Sequence, residues 1–251
     1  MVTQVDEPRG VPGSVVVRSL NGVRISYRIA TTDEFVLESE YAAARFLPKG
    51  YVPPEDATIL DIGAHIGVFA ALVARHVPRG VVHALEPSSE NFELLAKNLR
   101  DNDSDNAFAH RLALGASNGS VRLHHAPGSV GHSLYANPDW VGEPWEPRPS
   151  EAPPPVPYED VTAQTLADFL DEQGIEKVAF MKMNIEGAEY DVLLGASDDT
   201  LRAIANMQVE LHPEAEGLAE RLIARLRGIG FDTEFVPTDH PAVKGWLTAR
   251  R

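Results

Sequence analysis

Acids, amides and glycines gather at three places in this chain where an apolar run stops. In "ILDIGAHIGVFAAL", Asp61, Gly63 and Gly67 form a D-x-G-x-x-x-G arrangement between a short apolar strand and an apolar helix. Glycine there allows a tight turn and close approach of a ligand to the backbone. The helix start beyond Gly67 offers N–H groups with no partner inside the helix. "LEP" ends the next apolar run and places Glu86 about two dozen residues after Asp61, the spacing at which an acid at the end of a second strand holds ribose hydroxyls. In "MKMNIEGAEYDVL", Lys182, Asn184, Glu186 and Glu189 cluster where a buried strand should end. In "VELH", Glu210 and His212 alternate and so share one face of a strand terminus.

These groups suit one ligand chemistry better than another. The dinucleotide fingerprint G-x-G-x-x-G is absent, and Asp61 at the mouth of the turn would repel a diphosphate. It would favour a cation. S-adenosylmethionine offers an ammonium, a sulfonium and a ribose for Glu86. Methyl transfer to a hydroxyl then asks the protein for positioning and for a proton acceptor. His212 has an ordinary pKa suited to accepting that proton, and Glu210 is the second candidate. The competing account is a surface histidine beside a hydrogen-bonded glutamate. His132 and Ser133, in "GHSLY", either touch the acceptor or cap a turn. His124 and His125 lie on opposite faces of a strand, which makes a structural role the better reading for them.

The elements that must carry these residues alternate. "TILDIG", "GVVHALEP", "AFAHRLALG", "GSVRLHHA", "KVAFMKM" and "IANMQVELH" read as strands. "SSENFELLAKNLRDN" reads as an amphipathic helix, with Ser88 or Ser89 as cap and Phe92, Leu95, Ala96 and Leu99 on its inner face. Helices over "QTLADFLDEQG", "GAEYDVLLGA" and "LAERLIARLRGIG" follow. Such alternation argues for an α/β fold, a parallel sheet with helices on both faces. Upstream, "NG" between "SVVVRSL" and "VRISYRI" signals a hairpin, and residues 33–46 read as a helix in front of the main domain. The expected division is therefore an N-terminal hairpin and helix cap over 1–50 and a catalytic domain over 51–251. Residues 134–157 hold eight of the 19 prolines and two of the three tryptophans, the pattern of a lid or of a disordered linker.

Composition narrows the class. The chain has 251 residues, no cysteine and a formal charge of −15. Thiol nucleophiles and zinc–thiolate sites are excluded, and a cytoplasmic protein is expected. The negative charge disfavours nucleic acid as a partner. No apolar run reaches the length of a membrane span.

The blocks "ILDIGAHIGVFAALVA", "HALEPSSENFELLAKNL", "RLALG", "QTLADFL" and "MKMNIEGAEYDVLLGA" resemble, in order, those of the FkbM family of S-adenosylmethionine-dependent methyltransferases, over roughly residues 56 to 230. The resemblance implies a class I methyltransferase fold, Rossmann-like, with a seven-stranded mostly parallel sheet. It implies methyl transfer to a hydroxyl of a sugar, polyketide or similar natural product. Transfer to nitrogen or carbon, or a non-catalytic cofactor-binding scaffold, are the alternatives. The implied cofactor-binding set is Asp61, Gly63, Ala64, His65, Gly67, Glu86, Pro87, Ser88 and Asn184. Read from the residues themselves, the expected catalytic set is His212, Glu210 and Asn184, and His132, Ser133, Glu186 and Tyr41 are the expected acceptor contacts. Two residues depart from the family pattern. "GANIG" reads "GAHIG", with His65, and the family acid in "KIDVEGAE" is Asn184. An amide cannot act as a base at neutral pH, and it weakens a hard-cation site, so magnesium is the less favoured reading. A homodimer is allowed.

Overall fold

The computed structural model describes residues 11–41, 47–48, 50–126, 128–135, 156–213 and 217–251, with the side chains of 38–41 excepted. β1 (Val15–Leu20) and β2 (Val23–Arg28) pair antiparallel. Asn21 and Gly22 both take positive φ, 47° and 80°, the turn whose twist matches that of the strands it joins. α1 (Asp33–Tyr41) follows.

Next come β3 (Thr58–Ile62), α2 (Val68–Ala74), β4 (Val81–Leu85), α3 (Ser89–Asp101), β5 (Ala107–His110), β6 (Ala113–Leu114), β7 (Gly119–His124), β8 (Tyr158–Gln164) and α4 (Leu166–Glu172). The chain ends with β9 (Phe180–Met183), α5 (Glu189–Gly195), α6 (Asp198–Arg202), β10 (Asn206–Leu211), α7 (Leu218–Gly228), β11 (Asp232–Pro237) and β12 (Gly245–Arg250).

The main sheet has seven strands in the order β11-β12-β10-β9-β3-β4-β5. Only β12 runs against the rest. The chain starts at β3, runs outward to β5, and returns to β9 on the other side. That reversal opens a crevice at the carboxyl ends of β3 and β9, where open sheets of this type hold ligands. β9 is buried on both faces, as a parallel strand between two helical layers must be. One layer joins the hairpin, α2 and α3, through Ile25, Phe69 and Leu95. The other joins α4, α5 and α7, through Phe169, Leu193 and Leu222. Among the described residues no helix is long and apolar enough to cross a membrane.

The inner face of α3 differs from the expected one. Asn91, Leu94, Leu95, Asn98 and Leu99 are buried, while Phe92 and Ala96 are only half-buried. Two asparagines explain the rotation. The Ser26 N–H donates to Asn98 Oδ1 at 2.7 Å, and Asn98 Nδ2 donates back to the Ser26 carbonyl at 3.0 Å. Asn102 repeats the exchange with Arg24, at 2.7 Å both ways. The helix thus supplies, by side-chain amides, the ladder that the edge of β2 lacks. Ser88 takes the N-cap position, but its hydroxyl makes no capping bond.

A second, three-stranded sheet, β6-β8-β7, stands beside the crevice. β8, β11, β12 and α6 go beyond the elements expected from sequence. The tryptophan-bearing part of the expected lid, 136–155, lies outside the described residues.

Candidate functional site

The crevice is a cleft of about 730 Å³ when the open solvent at its mouth is included. Gly63, Glu86 and Pro87 line it from the first two strands, and Asn184 and Glu186 from the end of β9. The strap 129–132, Leu134 and Val36 of α1 close the opposite side.

The two glycines are required by contact. Gly63 has φ +76°, and a Cβ there would lie 1.8 Å from the Asn184 carbonyl oxygen. Gly67 has φ +83°, and a Cβ would lie 2.5 Å from Leu95 Cδ1 on α3. The turn between them is tied to β4, since the N–H groups of Gly63 and Ala64 both donate to the Leu85 carbonyl, at 3.0 and 2.9 Å.

Asp61 does not face the cleft. It is fully buried, and the Lys182 ammonium lies 3.0 Å from its Oδ1. Lys182 also donates to the Gly63 carbonyl at 2.9 Å. This corrects one expectation: Asp61 is not a free anion at the mouth of the turn. The pair instead locks the ends of β3 and β9 side by side.

Glu86 is buried and accepts the His65 N–H through Oε2 and the Ser88 N–H through Oε1, both at 2.9 Å. Burial pushes its pKa up, against the pull of His65 and of these two donors. A carboxylate has about four lone-pair sites, so two remain for a ligand in the cleft. The Ser88 hydroxyl and the Asn184 Oδ1 are buried with no hydrogen-bond partner among the described residues.

The second half of the site is a network around "NIEGAE". Glu189 is fully buried and accepts the N–H groups of Ile185 and Gly187, both at 3.0 Å. His212 lies between two carboxylates, with Nδ1 2.9 Å from Glu189 and Nε2 3.1 Å from Glu186. Burial opposes its charge, yet these two neighbours raise its pKa well above the ordinary value. His212 is therefore an imidazolium at neutral pH with both nitrogens engaged, a state with no proton-accepting atom. Geometry gives it a structural role instead, as its ring braces the turn that carries Asn184 and Glu186.

Asn184 points its Nδ2 at Glu210 Oε2, 2.9 Å away. Burial raises the Glu210 pKa to about 7; His212 opposes this and Glu186 adds to it. Glu210 is thus the carboxylate here poised to exchange protons near neutrality.

On the strap, the Ala126 N–H donates to His132 Nδ1 at 3.1 Å. Burial and the neighbouring His125 lower the His132 pKa to about 4, so the ring is neutral and carries its proton on Nε2. Ser133 is held away from the cleft: its hydroxyl donates to the Glu186 carbonyl at 2.7 Å, a clasp between strap and β9 turn rather than an acceptor contact. Tyr41 ends α1, and its side chain lies outside the described residues. No group of three or more His, Asp or Glu side chains among the described residues could hold a metal.

Sequence reasoning missed Asn91, Ser129 and Val130, which also line the cleft. Nothing in a helix asparagine or a "GSV" loop marks them. They are held at the site by Arg28, which bonds Asn91, and by Thr32, which bonds the strap.

A family model described as "Methyltransferase FkbM domain" matches residues 61–247. "Methyltransferase 1" of Beauveria bassiana (strain ARSEF 2860) is 29% identical over 201 residues, covering 73% of this chain and 81% of that protein. "31-O-demethyl-FK506 methyltransferase FkbM" of Streptomyces tacrolimicus is 23% identical over 229 residues, covering 86% and 88% respectively. Among solved structures, the methyltransferase FkbM from Methylobacillus flagellatus KT superposes with a TM-score of 0.52 at 16% identity. That match covers 78% of this chain and spans 44% of the other. It shows the fold, a class I methyltransferase sheet with helices on both faces.

Proposed function

Because the chain belongs to the FkbM methyltransferase family, we propose that it transfers a methyl group from S-adenosylmethionine to a hydroxyl of a small-molecule natural product. The relative whose name specifies a 31-O-demethyl substrate supports an oxygen acceptor. The observation that carries the reading is the Asn184 side chain. One end of its amide holds Glu210, and the other, Oδ1, is a buried acceptor with no partner among the described residues, on a residue that lines the cleft.

The residues fit the cofactor. The two remaining lone-pair sites of Glu86 suit ribose hydroxyls, and Asn184 Oδ1 suits an ammonium or hydroxyl proton. Gly63 lines the cleft, and its missing side chain lets the β9 turn with Asn184 pack against it. S-adenosylmethionine, when bound, supplies an electrophilic methyl carbon. This chain orients the acceptor and removes its proton. The acceptor oxygen would gain the methyl group of S-adenosylmethionine, which would leave as S-adenosylhomocysteine, while Glu210 would take up the hydroxyl proton. His132, a neutral Nε2–H donor, holds another oxygen of the acceptor.

An amine acceptor is the second reading, favoured by the Glu186 carboxylate on the cleft wall. Incubation with methyl-labelled S-adenosylmethionine and matched hydroxyl- and amine-bearing natural products separates the two. Label in an ether product, falling about 10²-fold or more in Glu210→Gln, is the expected result. Label only in amines, or an unchanged rate in Glu210→Gln, contradicts it.

A further inference from the structure

Asp33, the first residue of α1, is fully buried 28 residues ahead of the nearest motif residue, Asp61. A buried carboxylate needs partners, and Arg28, His65 and Ser129 stand around it. Arg28 grips it through Nε at 2.8 Å and Nη2 at 3.0 Å, and the Arg28 backbone N–H donates to it at 2.8 Å. His65 Nε2 lies 3.3 Å from Oδ1. Burial works against ionisation, but the His65 ring and the Arg28 guanidinium beside it hold this carboxyl well below the usual range, so it is an anion throughout the working pH range.

His65 is where the chain departs from the resembled family's asparagine. It takes a left-handed φ of +52°, a conformation that histidine, like asparagine, adopts more readily than most residues. Its backbone N–H is the donor that fixes Glu86 Oε2. Neighbouring contacts run in the same direction. Thr32 Oγ1 accepts the N–H groups of Ser129 and Val130, at 2.8 and 3.2 Å. Arg28 Nη2 reaches Asn91 Oδ1 at 2.5 Å, and Asn91 donates to the Ser129 carbonyl at 2.9 Å. The start of α1 thus grips both walls of the cleft.

We propose that Asp33 is a positioning residue for the cofactor site, acting through the His65 ring to set the loop N–H that orients Glu86. The proposal rests on the reading above that the cleft takes S-adenosylmethionine. It makes the N-terminal segment part of the binding machinery, and it explains why a histidine serves at position 65: the ring reaches Asp33.

The test is calorimetric titration of S-adenosylhomocysteine into the full-length protein, its Asp33→Ala and His65→Ala variants, and the double variant. Each single change should weaken binding by about tenfold and the double change by no more than either, because both break one link. His65→Ala leaves the Arg28–Asp33 pair intact and so remains informative where Asp33→Ala does not fold. Asp33→Asn, which keeps an oxygen for His65, should restore affinity to within about threefold. Wild-type binding with both single variants within about twofold of it, or effects that multiply in the double variant, overturn the role of Asp33 alone. No binding by the wild type overturns this role together with the cofactor reading.

Discussion

At the scale of single residues, partners decide what a side chain can do. Glu210 and His212 stand two positions apart on one strand, and sequence alone favours the histidine as base. In the fold the histidine has a carboxylate on each nitrogen and holds its proton, while the glutamate is pushed toward neutrality by burial. Those facts arise from "NIEGAE", more than 20 residues upstream, and no local spacing reveals them. The sign of the pH dependence follows. A base with a pKa of about 7 is active when ionised, so turnover should rise as pH passes upward through about 7. Measured rates that are flat or falling between about pH 6 and 8 contradict the assignment. Asn184→Asp sets a second carboxylate against Glu210 and should move this rise to higher pH by about one unit. A downward move in the pH–rate profile would mean that the two groups do not interact.

Elements show a different balance between what sequence foretells and what it conceals. The strand–glycine turn–helix at 58–74 is legible because backbone geometry allows few alternatives: a Cβ at Gly63 collides with the Asn184 carbonyl. Gly63→Ala should therefore cost roughly 4 kcal/mol or more, read as a lower denaturation midpoint in urea. A loss of under about 1 kcal/mol would mean that the turn relaxes freely. By contrast β8, "YEDVTAQ", carries charges and no apolar run, and β6 is two residues long. Both exist because the small sheet pairs them, not because of local preference. The α3 register departs from its apolar pattern for a related reason. Asn98 is inward because it serves the backbone of β2, as Asn102 does beyond the helix end, an interaction invisible to a hydrophobicity count.

For the whole molecule, the order of strands is what makes the site. Reversal between β3 and β9 sets Asp61 beside Lys182, and that buried pair joins the two halves of the sheet at the cleft floor. Class I architecture is legible from the alternation of elements and the motif blocks. The Asp61–Lys182 pairing is not, since the partners come from opposite halves of the chain. Lys182→Met leaves a buried carboxylate without its cation and should destabilise the fold by about 3–5 kcal/mol near neutral pH. The deficit should shrink in acid, where the orphaned Asp61 takes up a proton and its burial no longer strands a charge. Equal destabilisation at both pH values, in urea titrations, would show that packing rather than charge is lost.

The central claim is that the cleft between Glu86 and Asn184 binds S-adenosylmethionine, and one titration addresses it. S-adenosylhomocysteine injected into the wild type should give a single saturable site, weakened about tenfold or more by Glu86→Ala with the thermal transition retained. Absence of heat with the wild type, or equal affinity in Glu86→Ala, would contradict the account.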